Sequence, residues 1–322
     1  MKFRTEIDIK PWQNKIEYSD SILSLGSCFA TNIAQRLLER KFKVCNSPTG
    51  ILFNPASIAR SVELMAKGYR VSESDVFLSG ELYSSYLFHS QFSASSHDEA
   101  IERMQQAIDT GHKALSSADY LIVTLGTAWV YRLKTSGEVV ANCHKQPSSN
   151  FSRELLTIDE ILEALEIINN SCSAQLILTI SPVRHIGEGM EDNSLSKSLL
   201  RVAVAEFIKR HPERALYFPS FEILIDDLRD YRFYGDDLVH PSTMAIDYVA
   251  EKFFEASLSD KAKRLIEDID RIVRAANHRP QNPHSEQHKA FCRKQIAAID
   301  RITDVDLSKE REYFEQMLQI NL

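Results

Sequence analysis

Ser27 stands where a short apolar run gives way to a helical pattern. Far along the chain, an Asp and a His lie three residues apart in Asp237-Leu238-Val239-His240-Pro241. A hydroxyl, an imidazole and a carboxylate are the groups that acyl transfer through a covalent intermediate requires. The hydroxyl attacks, the imidazole takes its proton, and the carboxylate fixes the imidazole tautomer and stabilises the imidazolium. Two of them on one loop can hydrogen-bond each other directly. Pro241 keeps His240 out of a helical conformation and suits the first turn of a following helix. Each piece also has a plainer reading: serine is a favoured helix N-cap, and Asp-x-x-His occurs at ordinary helix starts.

The elements that would position these groups are legible. Ser21 to Leu25 is apolar apart from its serines, as a buried parallel strand is. After Gly26-Ser27, Ala30, Ile33, Ala34 and Leu37 fall on one helical face. A strand, a tight turn and a helix set the Ser27 hydroxyl above the carboxyl edge of a sheet and aim the first free N–H groups of the helix at that point. Further strands are expected at Lys43 to Asn46, Tyr120 to Thr127, Gln175 to Pro182 and Ala215 to Pro219, with helices between them. The fold class is therefore α/β, with a parallel sheet of about five strands and helices on both faces. Two hairpins interrupt the alternation. One turns at Ser79-Gly80 and continues through Tyr86 to Phe92, and the other joins Trp129–Leu133 to Val139–Asn142. Asn54-Pro55 and Thr157 with Glu160 are helix-start signals. Beyond Pro241 only helices are expected, at Ser242 to Ala256, Ser259 to Ala276 and Lys289 to Ile302. The domains follow as residues 1–258, with 1–20 an N-terminal arm, and a helical C-terminal extension over 259–322.

Composition narrows the function classes. A net charge of -7 supplies no basic face, so neither nucleic acid nor an anionic membrane is an expected partner. No apolar run approaches the roughly 20 residues of a membrane span. The first ten residues carry acids and no apolar core, so no signal peptide is expected. Five cysteines without a Cys-x-x-Cys pair suit reduced thiols and a cytoplasmic location. His284 and His288 have metal-ligand spacing without a Cys or strong acid partner, and no metal or other cofactor is expected.

Other residues compete for roles near Ser27. Cys28 is a thiol at the same helix N-terminus, where a thiolate is favoured, but adjacent residues in a turn point apart and Ser27 is preferred. Gly50 and Gly126-Thr127 follow strands and lie where oxyanion donors belong, although turn geometry alone explains a glycine. Cys143-His144-Lys145 ends a hairpin and is a candidate pocket wall. Arg184-His185, beyond a strand end, is a candidate site for a substrate anion.

Several of these stretches resemble one family. Gly26-Ser27-Cys28-Phe29-Ala30 is the motif that gives the GSCFA family its name, and that family looks like a branch of the SGNH/GDSL hydrolases. The resemblance spans roughly residues 20–258. It includes Gly126-Thr127-Ala128-Trp129-Val130-Tyr131, Asn142-Cys143-His144-Lys145, Ser181-Pro182-Val183-Arg184-His185 and Asp237-Leu238-Val239-His240-Pro241-Ser242. It implies a three-layer, flavodoxin-like α/β/α sandwich. It also implies a serine esterase or acyltransferase acting on a small-molecule or carbohydrate O-acyl ester, O-acetyl carbohydrates among them. Ser27 matches the nucleophile of the first SGNH block, Gly50 the glycine of the second, and Asp237 and His240 the Asp-x-x-His of the last. The third block, usually Gly-x-Asn-Asp, here reads Gly126-Thr127-Ala128-Trp129, so its oxyanion Asn is absent. Thr127, or Asn142 returning on a hairpin, is the candidate to replace it, beside the N–H groups of Cys28 and Gly50. His144, Arg184 and His185 are then the candidate substrate contacts. The altered block also favours a second reading, a non-catalytic protein that keeps the pocket for a carbohydrate or acyl ligand.

Overall fold

The computed structural model describes residues 4–319. From the N-terminus, β1 (Ser21–Gly26) leads into α1 (Cys28–Glu39), β2 (Lys43–Asn46) and α2 (Pro55–Ala66). A hairpin of β3 (Phe77–Ser79) and β4 (Leu82–Ser84) precedes α3 (His97–Ser117) and β5 (Tyr120–Leu125). Next come β6 (Trp129–Leu133), β7 (Val139–Val140) and β8 (Phe151–Leu155), then α4 (Ile158–Asn170), β9 (Gln175–Ile180), α5 (Met190–Arg210) and β10 (Ala215–Phe218). A short α6 (Ser220–Glu222) runs on as a π-helical stretch, Ile223–Leu228, before α7 (Thr243–Ser257), α8 (Asp260–Asn277), α9 (Glu286–Ile299) and α10 (Ser308–Gln319).

The central sheet has the order β10-β9-β5-β1-β2. Counted along the chain, its strands lie 2-1-3-4-5, the flavodoxin-like doubly wound order, whose ligand crevice opens where the order reverses beside the first strand. β1 pairs parallel with β5, Ile22 opposite Tyr120 and Gly26 opposite Thr124, and β5 pairs parallel with β9. Strands buried on both faces need apolar residues at successive positions, and β5 is buried throughout. Leu23, Leu25, Leu121, Val123, Leu125, Leu176 and Leu178 pack into one core cluster with α2, α3, α4 and α5, while Ile22, Ile122 and Ile177 alternate with them and are buried too.

Helix starts follow local chemistry. Asn54 Oδ1 accepts the Ser57 N–H at 2.8 Å ahead of Pro55. Thr157 and Glu160 form the reciprocal capping box of α4. Two insertions differ from expectation. The segment after β4 does not continue as a strand to Phe92: it makes one bridge, Tyr83 to Ala94, around a 3₁₀ turn at Ser90–Phe92. The second hairpin gains a third strand, β8, giving the order β7-β6-β8. β8 was hidden in the sequence because only Phe151 is buried among polar neighbours.

The chain forms two compact units. The larger holds residues 21–35 and 44–252 with the N-terminal residues through Ile9. The smaller holds Lys10–Asp20, Arg36–Lys43 and Phe253–Leu322. Within the smaller unit, Ile272, Cys292, Ile299, Leu307 and Phe314 form the core of α8, α9 and α10. Trp12 meets Phe253 edge-on, Tyr18 stacks on Phe42, and Ile16 is fully buried, so the 10–20 segment is anchored at three points. All five cysteines are free thiols. Among the described residues no helix is long and apolar enough to cross a membrane.

Candidate active site

β1 ends at Gly26, whose φ is 127°, and an added Cβ there would collide with the Thr124 carbonyl. Only glycine fits this turn. Ser27 follows, fully buried, with its N–H donating to Thr124 O at 3.1 Å and its Oγ accepting the Phe29 N–H at 3.3 Å. The hydroxyl therefore caps α1, as a serine in this position can. Cys28 opens the helix. Its main-chain N–H is one of the orphan donors of a first turn, and it acts on the Cys28 thiol together with the Phe29 N–H. Burial pushes the Cys28 thiol pKa up, which disfavours the thiolate.

The loop between Tyr234 and Pro241 is closed by hydrogen bonds from Gly235 N–H to His240 O at 2.8 Å and from Leu238 N–H to Gly235 O at 3.0 Å. Leu238 takes a left-handed φ of 57°, uncommon for a branched residue. Asp237 Oδ1 accepts the N–H groups of Val239 and His240, both at 2.9 Å, and Oδ2 lies 2.7 Å from His240 Nδ1. An ionised carboxylate only accepts, so Nδ1 carries the proton and Nε2 is left as the basic nitrogen of the neutral ring. The N–H groups of His240 and Val239, and then the His240 ring, hold the Asp237 carboxyl down at about 2.

Arg184 is spent on this loop. Its N–H donates to Val239 O, its Nη1 to Leu238 O at 3.2 Å, and its guanidinium lies 3.9 Å from the centre of the Tyr234 ring. It supports the Asp237–His240 turn.

Four other expected contacts are also committed elsewhere. The Gly50 N–H closes its own turn on Ser47 O at 2.8 Å. The N–H groups of Gly126 and Thr127 both donate to Phe53 O, at 2.7 and 3.0 Å. Thr127 Oγ1 accepts the Trp129 N–H and meets Ser196 Oγ at 3.0 Å. His144 is buried, with Nε2 donating to Ser85 O at 2.7 Å, so its ring pins the backbone. Asn142 supports that pin, its Oδ1 accepting the His144 N–H at 2.7 Å.

His185 behaves differently. Its N–H donates to Asn193 Oδ1 at 2.9 Å, its ring meets Phe53 edge-on, and its buried Nε2 has no hydrogen-bond partner among the described residues. Burial, and then the charges of Lys197 and His240, push its pKa down to about 4, so the ring is neutral. Lys197, 2 % exposed, donates to Gly126 O at 2.6 Å and Ser181 O at 2.7 Å. The charges of Lys197 and Asp237 both act on Cys28. The Ser27-Cys28 turn, the Asp237–His240 loop, His185 and Lys197 thus share one neighbourhood at the carboxyl edge of the sheet.

Asn193, Ser196 and Lys197 were missed in the sequence, although a signal was present. They fall on the same face of α5 as the buried Leu200, Ala203, Val204 and Phe207, so three polar residues head an otherwise apolar stripe.

Chemically, these are a buried hydroxyl at a helix N-terminus and, on a separate loop, an imidazole whose tautomer is fixed by a carboxylate. No curated protein matches the chain. Among solved structures it is similar to a mutant acetyl esterase with an acetate ion, at 9% identity and TM-score 0.35, covering 77% of this chain and 99% of that one. It is also similar to a carbohydrate esterase family 3 protein from Talaromyces cellulolyticus, at 10% identity and TM-score 0.33, again covering 77% and 99%. The family model of the GSCFA domain protein, C-terminal domain, matches residues 269–320, and that of the GSCFA family matches residues 21–253. The chain belongs to the GSCFA family.

Proposed function

We propose that this protein is a serine esterase or acyltransferase acting on an O-acyl ester, an acetylated carbohydrate being the favoured class. The observation that carries the reading is the 2.7 Å bond between Asp237 and His240 Nδ1, which leaves Nε2 basic at the sheet edge that bears Ser27. Ser27 Oγ attacks the acyl carbonyl as His240 Nε2 takes its proton. The tetrahedral oxyanion is held by the Cys28 N–H and the N-terminal dipole of α1. The C–O bond to the leaving alcohol then breaks, and that alcohol takes the proton from His240. Water, or an acceptor hydroxyl, then gives its proton to His240 Nε2 as it attacks the acyl carbonyl, and His240 returns that proton to Ser27 Oγ as the acyl–Ser27 bond breaks. Cys28 is the poorer nucleophile because burial keeps its thiol protonated.

A second reading is supported by one observation: Ser27 Oγ already caps Phe29, and the Gly50 and Thr127 N–H groups are engaged. A pocket so committed suits a protein that binds a carbohydrate or acyl ligand without turning it over. Labelling with a fluorophosphonate probe, wild type beside Ser27→Ala, separates the two. Labelling that disappears in the variant establishes an activated serine. A folded wild type that does not label removes the esterase reading and leaves the binding one.

A further inference from the structure

The polar head of α5 has no part in the reaction just described, yet it ties the floor of the site together. Asn193 holds the His185 N–H, Ser196 Oγ accepts the Ala128 N–H at 2.7 Å, and Lys197 bridges the carbonyls that follow β5 and β9. Lys197 forms no ion pair with a carboxylate among the described residues. A buried ammonium without a counter-charge is costly, and the two carbonyls it satisfies need only N–H donors, which a neutral amide also supplies. The charge therefore needs a reason other than stability. Its surroundings supply one, because it acts on Cys28, the residue after Ser27, and on the neutral His185 ring.

We propose that Lys197 is the positioning residue of this site: it fixes the strand ends beside Ser27 and, while charged, biases the Cys28 turn towards a developing negative charge. Its effect on rate rests on the serine-esterase reading above. A plain structural clip makes a different prediction. A neutral amine keeps two N–H donors, enough for the two carbonyls of Gly126 and Ser181, so a clip is unaffected when Lys197 loses its proton. A charge is lost at that point. Burial pushes this loss down to about 7, within reach of a rate measurement.

The test follows the rate of Ser27 labelling by a fluorophosphonate across pH in the full chain. Wild type is expected to slow on the alkaline side, at the midpoint read from the ¹³Cε titration of Lys197 by NMR. Lys197→Met is expected to label about 10²-fold more slowly at neutral pH, the scale of a misplaced or electrostatically uncompensated site, and to lack the alkaline decline. A wild-type rate that stays flat through the Lys197 titration overturns the proposal, and this needs no variant that might fail to fold. If wild-type Ser27 labels at no pH, the esterase reading fails instead. Lys197 is then judged on the His185 ring titration, which rises in Lys197→Gln if the charge faces it; an unmoved His185 overturns the positioning role as well.

Discussion

His185 Nε2 lies 3.2 Å from the point where a Cβ on Gly126 would stand, so a side chain at position 126 would press on the ring. The carbonyl of Phe53 lies 2.9 Å from the same point. Gly126→Ala should therefore displace His185 and destabilise the larger unit by about 1–3 kcal/mol, the range of overpacking in a tight core. Denaturant midpoints measure this. His185→Ala in the same chain should recover only part of the loss, because the Phe53 carbonyl cannot move aside as a side chain can.

Asp237→Asn keeps an oxygen for the Val239 and His240 N–H groups but no longer dictates the tautomer of His240. Ser27 labelling should fall by about 10⁴-fold with the loop intact. Retention of the wild-type rate would remove Asp237 from the mechanism. The same residue gives an acid signature. Its folded carboxyl is held at about 2, below the roughly 3.9 of an unfolded Asp. The stability it contributes is complete above the unfolded value and is lost as pH falls through the folded one. Acid unfolding of Asp237→Asn should lack that component.

Arg184 should act on rate and hardly on stability. In Arg184→Ala the stacking on Tyr234 and the bond to Leu238 O are lost, and an exposed cation–π contact is worth about 0.5–1 kcal/mol. Loosening the turn that aims His240 should slow labelling by up to about 10²-fold. Faster hydrogen exchange at the His240 N–H, which Asp237 protects in wild type, would trace the loss to the loop.

Lys197 should make stability rise with pH. Its folded pKa of about 7 lies below the roughly 10.4 of an unfolded lysine. Between the two values the unfolded chain holds a proton that the folded chain does not, so unfolding becomes harder as pH rises through that window. Below it both states are protonated and the burial penalty is present in full. Lys197→Met should flatten the slope of unfolding free energy between neutral and mildly alkaline pH.

Much of this architecture was legible in the sequence. Runs such as Tyr120–Leu125 and Gln175–Ile180 are buried on both faces, so they carry no alternation that could be misread. Asn54 and Thr157 carry their capping chemistry locally. β8 escaped because it lies beside β6 in a small sheet with little core to mark it. At the site, the contact of Asp237 with His240 could be foreseen because both lie on one loop. The engagement of Gly50 and Thr127 N–H groups could not, since it depends on how Ser47 and Phe53 turn their carbonyls. Arg184 invited a ligand role as a free cation, and only the stacked Tyr234 shows where it is spent.

The position of β1 has one more consequence. It is the first strand to be synthesised but lies inside the sheet, with Ile22 opposite Tyr120 and Ser27 reaching back to Thr124. Until β5 leaves the ribosome, the strand bearing Ser27 has an open edge, and until Asp237 and His240 follow, no partial chain holds the constellation. The strand bearing Ser27 therefore waits for later segments of the sheet, with an open edge that can mispair in the nascent chain.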